Sequence, residues 1–437
     1  MSLFGSMNTA ISGLTAQSAA FSNISDNVAN SQSAGYKGVD TNFEDFITTS
    51  TATQNDSGAV VALPSYTNNV QGTIATSSDP LAMAITGQGF FAVSEAIATS
   101  VATGQPTFSA QQYYTRAGDF SLDKNGYLVN SAGQYLNGWP VDASTGQVNQ
   151  NQLAPIQVTQ SSYSPVATSE VTLSANLPAT PAANAPVSSQ VTVYDSLGTQ
   201  HTITLNWTQN AQGDWTVGVQ SPDDVASANR GTAEVKFGTQ SANPVPDGTV
   251  GSIGNASGSV TTSGFAANGP ATLSFTTNFG NGPQPITLNL GSYGGSSGLT
   301  QFAGTTYSLQ GLTQNGVPPG SYSGVTTTSA GDIVVNYNNG QSRTIAQVPV
   351  VTFNSPDSLQ RQNGQAFTAT LNSGNPIAQN AGSNGAGGLV TGSVEGSNVD
   401  IATQFSKLIV AQQAYSANTK VVTTANDLLQ QTINMKQ

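Results

Sequence analysis

Apolar positions at the start of the chain recur every three or four residues: Phe4, Met7, Ile11, Leu14, Phe21 and Val28, with Ser18 and Ser25 filling the register. That spacing predicts one stripe of a helix over residues 1–30, which Ile24 widens. Gly13 and the many Ser, Asn and Thr residues make it a weak helix former, expected to order only when packed. At the other end Ile401, Phe405, Leu408, Gln412, Tyr415, Thr419, Val422, Asn426, Leu429 and Ile433 alternate four and three, predicting a helix over 396–437. Gln412, Thr419 and Asn426 share one heptad position, where polar groups cost stability but fix register. Val410, Ala414, Ala417, Val421, Ala425 and Leu428 form a second, smaller stripe, so this helix has two faces for neighbours. Both ends read as coiled-coil segments for self-assembly, expected to order only when copies stack.

Between them, residues 31–71 read as a Gly, Ser, Thr and Asn connector with a short ordered patch at Phe43 to Ile47. From about 72 to 395 the pattern has period two. Ile203, Leu205 and Trp207 share one strand face, as do Trp215, Val217 and Val219, and Val191 with Val193. Asn125-Gly126, Asn137-Gly138 and Asp195-Ser196-Leu197-Gly198 predict hairpin turns. Pro178, Pro181 and Pro186 suggest a junction. The predicted fold class is mainly β with α-helical coiled-coil termini.

Composition narrows the function classes. Only 7% of the 437 residues are charged and the net charge is −12, which disfavours nucleic acid and anionic membrane as partners. There is no cysteine, so disulfides, thiolate metal sites and thiol nucleophiles are excluded. No lysine or arginine precedes Lys37 and no run reaches membrane-spanning length; a cleaved leader and membrane insertion are not expected.

Each apparent catalytic motif fails its physical requirement. Through Gly87-x-Gly89-x-x-Ala92 the residues Phe90, Phe91 and Val93 continue in strand pattern, where a dinucleotide needs a helix to follow. Asp123-x-Asn125-Gly126 has Ser121 and Ala132 where a calcium loop needs its end ligands, so it reads as a hairpin turn. His201, the single histidine, shares strand parity with Ile203 and reads as a sheet residue. Asp223 and Asp224 are adjacent, hence divergent on a strand, and read as a solvated turn. No catalytic, cofactor or metal residues are assigned, and the chain is not expected to be an enzyme.

Several strings resemble the axial rod and hook proteins of the bacterial flagellum. Ser12-Gly13-Leu14, Asp26-Asn27-Val28-Ala29-Asn30 and Ala34-Gly35-Tyr36-Lys37 are similar to that family's N-terminal signature, making Asn30, Gly35, Tyr36 and Lys37 its motif turn. Asp79 to Ile85 with Gly87-Gln88-Gly89-Phe90-Phe91, Tyr114 to Phe120, and Asn125-Gly126-Tyr127 with Gly138-Trp139 resemble its first β-domain. Glu395 to Asp400 and Gln412 to Asn418 resemble its C-terminal signature. Val191 to Thr202 looks like an outer domain present in the hook branch, and Gly331-Asp332-Ile333 with Tyr337 to Gln341 like the point of return.

The resemblance implies three layers: terminal helices (1–30 and 396–437) innermost, an inner β-domain in two parts (72–155 and 322–395), and an outer β-domain at 156–321, with an extra lobe possible at 220–320. It implies a homopolymeric, torque-transmitting curved tube attached to the basal body and exported outside the cell. Its implied partners are the distal rod protein, hook cap protein, hook–filament junction protein and flagellar export apparatus. Two alternatives stay open: a distal rod subunit, told apart by a straight polymer, and a secreted β-rich binding module. Trp139, Trp207 and Trp215 could serve such a module as platforms, but parity places Trp207 and Trp215 in a core.

Overall fold

The computed structural model describes residues 3–50, 55–100, 104–181, 186–210 and 213–435. The chain is mainly β with one helix near each end, α1 (Leu3–Ala29) and α2 (Ile401–Asn434). It divides into two compact units: residues 1–160, 324–336 and 342–437, and residues 161–323 with 337–341.

In the first unit the expected connector is a long hairpin, β1 (Val39–Ser50) and β2 (Asn55–Tyr66), paired antiparallel with Val39 opposite Tyr66. Its composition suggested loop, but Val60, Val61, Leu63 and Phe43 carry enough β-propensity once one side has α1 to pack on. Ser12 Oγ accepts from Val60 N at 3.0 Å, and Asn23 Nδ2 donates to Thr41 Oγ1 at 2.9 Å. The rest of this unit is a sheet running Ser342–Gln347, Gln134–Pro140, Phe91–Thr99, Tyr113–Thr115, Ala366–Thr368, Gln360–Arg361. Three short ladders join early to late sequence: Ile74–Thr76 with Ser393–Glu395, Met83–Thr86 with Gly388–Thr391, and Val350–Thr352 with Ile377–Gln379.

One turn expectation is overturned here. Asn137-Gly138 lies inside the strand Gln134–Pro140, because buried Asn137 hydrogen-bonds Ser94 Oγ at 2.9 Å and glycine is required by crowding rather than by a turn. A Cβ at Gly138 would stand 2.7 Å from Ile156 Cδ1 and 2.9 Å from Gln347 O. Asn125-Gly126 does turn: Asp123 Oδ1 accepts from Asn125 N and Tyr127 N at 2.8 and 2.7 Å.

The second unit is a sandwich. Its five-stranded sheet is a meander from Val187–Tyr194 to Val250–Gly254; the other sheet places Glu170–Asn176 between Pro283–Ser292 and Ser308–Gln314. Alternating residues of both sheets make one core, with Trp207 and Trp215 fully buried among Leu205, Val217, Leu173, Leu273 and Leu288. Residues 220–320 complete this core rather than form a lobe of their own. The Asp195 turn is a tight hairpin, and His201 lies on the strand Gln200–Gln209, stacked 3.8 Å from Phe279.

The Asp223-Asp224 pair is not a solvated turn. Asp223 is open to solvent, but Asp224 is buried and accepts from Ala226 N, Asn278 N and Thr277 Oγ1 at 2.8, 2.6 and 2.8 Å, with Arg230 at 2.6 Å. Burial alone would raise its pKa; these donors outweigh burial and hold the carboxyl well below the ordinary range.

Candidate functional site

The two helices run antiparallel: Gly13 faces Asn418, Phe21 meets Tyr415 edge-on at 6.3 Å, and Asn27 Nδ2 donates to Gln404 Oε1 at 3.3 Å. Asp400 caps α2 by accepting from Thr403 N at 2.6 Å, which lowers the pKa of its carboxyl.

Most buried positions of the two helices fall one residue before the stripes read in the sequence, and those of α1 are shared between α2 and the β1–β2 hairpin. On α1 the buried positions are Ala10, Ala16, Ala20, Ile24 and Asn27; on α2 they are Gln404, Ala411 and Ala425. A Cβ on Gly13 would already stand 2.8 Å from Asn418 Nδ2.

The larger residues flank the seam or face away. Met7, Leu14, Phe21, Val28, Leu408, Val422 and Leu429 are half-buried. Phe4, Ile11, Ile401, Phe405, Tyr415 and Ile433 are exposed, as are Gln412 and Asn426. Of the second stripe Ala425 is buried and Ala414 half-buried, while Val410, Val421 and Leu428 are open. Between α1, α2 and β1 runs a groove of about 560 Å³ lined by Ala20, Ile24, Phe43, Val410 and Ala411, with a Lys407–Asp40 ion pair at its edge.

Beyond the helix pair, the family-like strings converge on one buried ionic cluster. Glu395 accepts from Lys37 Nζ at 2.5 Å on one oxygen and from Arg116 Nη1 at 2.9 Å on the other. All three side chains are at most 1% exposed. Further donors go to backbone carbonyls, Lys37 to Val70 O and Arg116 to Ile85 O and Gly87 O at 2.7, 3.2 and 2.6 Å, while Arg116 Nε is buried without a partner. Gly72 N also donates to Glu395 Oε1 at 2.8 Å. Burial lowers the pKa of both cations, opposed by the attraction of Glu395.

Around it, Gly35 has φ +68 and its N donates to Glu395 O at 2.7 Å; a Cβ there would lie 2.3 Å from Ala117 N. Tyr36 OH donates to Asn27 Oδ1 at 3.3 Å, and Arg361 stacks over the Tyr36 ring at 5.1 Å. Gly35, Tyr36 and Lys37 therefore belong to the cluster; Asn30 does not, and binds back to Asp26 O at the end of α1. Sequence reasoning quoted Glu395, Arg116 and Asn27 without giving them a role. The available signal was the rarity of charge, since only 7% of the residues are charged and Arg116 and Glu395 stand inside the family-like strings. Among the described residues no helix is long and apolar enough to cross a membrane.

Comparison with known proteins matches this arrangement to three domain families. Residues 84–176 match the flagellar hook protein FlgE/F/G D1 domain, 160–317 the flagellar basal body protein FlaE D2 domain, and 390–435 the flagellar basal body rod FlgEFG protein C-terminal family. The class is a structural axial protein, not an enzyme. Over 441 residues, covering both chains completely, the sequence is 31% identical to the flagellar hook protein FlgE of Brucella abortus, and the chain belongs to that family. It is 26% identical to the Salmonella typhimurium hook protein over 449 residues, covering 99% of this chain and all of the relative. The crystal structure of Helicobacter pylori flagellar hook protein FlgE2 aligns with 14% identity and TM-score 0.48 over 72% of this chain and 98% of the other.

Proposed function

We propose that the chain is a subunit that polymerises into the flagellar hook, the curved tube transmitting torque between rod and filament outside the cell. Full-length identity to hook proteins carries this reading. The helices support it physically: Phe4, Ile11, Phe405, Ile409, Val410 and Ile433 are at least 45% exposed, an apolar surface that one chain leaves uncovered. In this reading the small-residue seam joins α1 to α2 within a subunit, and the large apolar residues join subunits in an innermost layer. The strands 72–155 and 322–395 form the inner β-layer and residues 156–321 the outer one. Its partners are further copies, the distal rod protein, the hook cap protein, the hook–filament junction protein and the export apparatus.

The test is Ile409→Asp. Ile409 is exposed, so the variant is expected to keep the monomer's circular dichroism yet form no tubes by electron microscopy, because a charge cannot be buried unpaired at a subunit contact. Normal tubes from this variant would remove the helices from the contact.

A further inference from the structure

At one end of the second unit a single side chain lies between two turns and a hairpin tip. His201, the chain's one histidine, has 11% of its side chain exposed on the strand Gln200–Gln209. Phe279, between the strands Pro270–Asn278 and Pro283–Ser292, lies flat on the imidazole, with the ring centroids 3.8 Å and the planes 5° apart. Asp223 Oδ2 stands 3.0 Å from Nδ1, and Asp195 Oδ2 stands 3.6 Å from Nε2. The second distance is too long for a hydrogen bond, and the buried Nε2 has no hydrogen-bond partner.

Both ring nitrogens therefore face acceptors. An ionised carboxylate offers only lone pairs, and a neutral imidazole carries one N–H, so either tautomer leaves a nitrogen lone pair turned toward a carboxylate. The doubly protonated ring has a donor at each nitrogen and makes both contacts attractive, and the phenyl face beneath it favours the cation further. Asp195 is itself fixed in place: its Oδ1 accepts from Leu197 N and Thr199 N at 2.9 and 2.7 Å, and its Oδ2 from Asn281 Nδ2 at 2.7 Å. Among the described residues no lysine or arginine pairs with Asp195 or Asp223, and the adjacent Asp224 is taken up by Arg230, Thr277 and Asn278.

We infer that His201 is a proton-operated clamp: doubly protonated, it draws Asp195 and Asp223 onto one ring and ties their turns and the Phe279 hairpin tip into one rigid end; neutral, it keeps Asp223 and lets Asp195 go. The sign is set by the donor count. The second ion pair exists only while both nitrogens carry protons, so the turn at Asp195 is firmest in mild acid and loosens as the pH rises and the ring loses its proton. The clamp lies wholly within the second unit and does not depend on the polymerising reading.

Hydrogen exchange of the full chain, corrected for the intrinsic pH dependence of amide exchange, reads the clamp at the amides of Leu197 and Thr199. Between about pH 5.5 and about pH 8, the range in which imidazoles change charge, their exchange should speed up about fivefold, the top of the range for one partly exposed ion pair. His201→Gln has no proton to gain and should show equal rates at both values. Asp195→Asn keeps an oxygen for the two amides but loses the charge, so it should fold and also show equal rates. Unchanged rates in the parent chain, or a change that survives in either variant, would overturn the inference.

Discussion

A glutamate holds two cations in a space that excludes water, and the balance there is uneven. One carboxylate neutralises Lys37 or Arg116 but not both, so the carbonyls of Val70, Ile85 and Gly87 supply further acceptors, and Arg116 Nε still goes without one. Such a cluster gives little net stability over an apolar core but is costly to break. Glu395→Gln is expected to destabilise the first unit by about 3–5 kcal/mol, by leaving two buried cations without a counter-charge. A urea titration should show a lower midpoint with an unchanged slope. The strings holding these residues were visible in the sequence, and their resemblance to one family was enough to group them. Their convergence was not visible, since 358 positions separate Lys37 from Glu395 and nothing local in either segment encodes the other.

At the scale of elements, the helices and the strand faces of the second unit were legible because periodicity is a property of neighbours along the chain. Trp207 and Trp215 fall in the core as their parity implied. Two readings were not recoverable that way. Apolar periodicity follows the large residues, so that stripe masked the smaller residues the structure buries beside it, Ala10, Ala20 and Ala411 among them. Asn137-Gly138 carries hairpin chemistry, yet the crowding from Ile156 that demands glycine comes from a strand elsewhere. The seam gives a direct expectation. Gly13→Leu should lower the melting temperature of assembled material, equivalent to about 1–3 kcal/mol, because a side chain there meets Asn418 at a close helix contact. Melting unchanged by circular dichroism would place Gly13 off the contact.

For the whole molecule, the second unit interrupts the first at 161–323 and again at 337–341, and near the ends of the longer segment Tyr163 N donates to Gly320 O and Gly320 N to Tyr163 O, at 2.8 and 3.2 Å. Such an insertion is removable in principle without dragging apart what it interrupts. A chain joining Gln160 to Gly324 is expected to fold, keep its helix pair and form tubes, but to lose regular curvature. The reason lies in composition: surfaces rich in Ser, Thr, Asn and Gln have few strong pairs to break as neighbouring copies slide among similar arrangements. Electron microscopy would read the result, and supercoiling identical to the full chain would show that the second unit does not set the curve. The single shared core that residues 220–320 complete was not legible, because it required long-range strand pairing that no short window contains.

The ionic cluster also bears on the order in which the molecule is completed. Its carboxylate lies near the end of the chain and its cations lie far earlier, so a chain arriving amino end first has two unneutralised charges where its interior should form. Until Glu395 arrives, the strands around Met83 and Phe91 lack the counter-ion that makes closing over Lys37 and Arg116 favourable. Closure of the first unit over Lys37 and Arg116 is therefore expected to wait for the segment that carries Glu395, and a fragment ending before it should stay open to limited proteolysis.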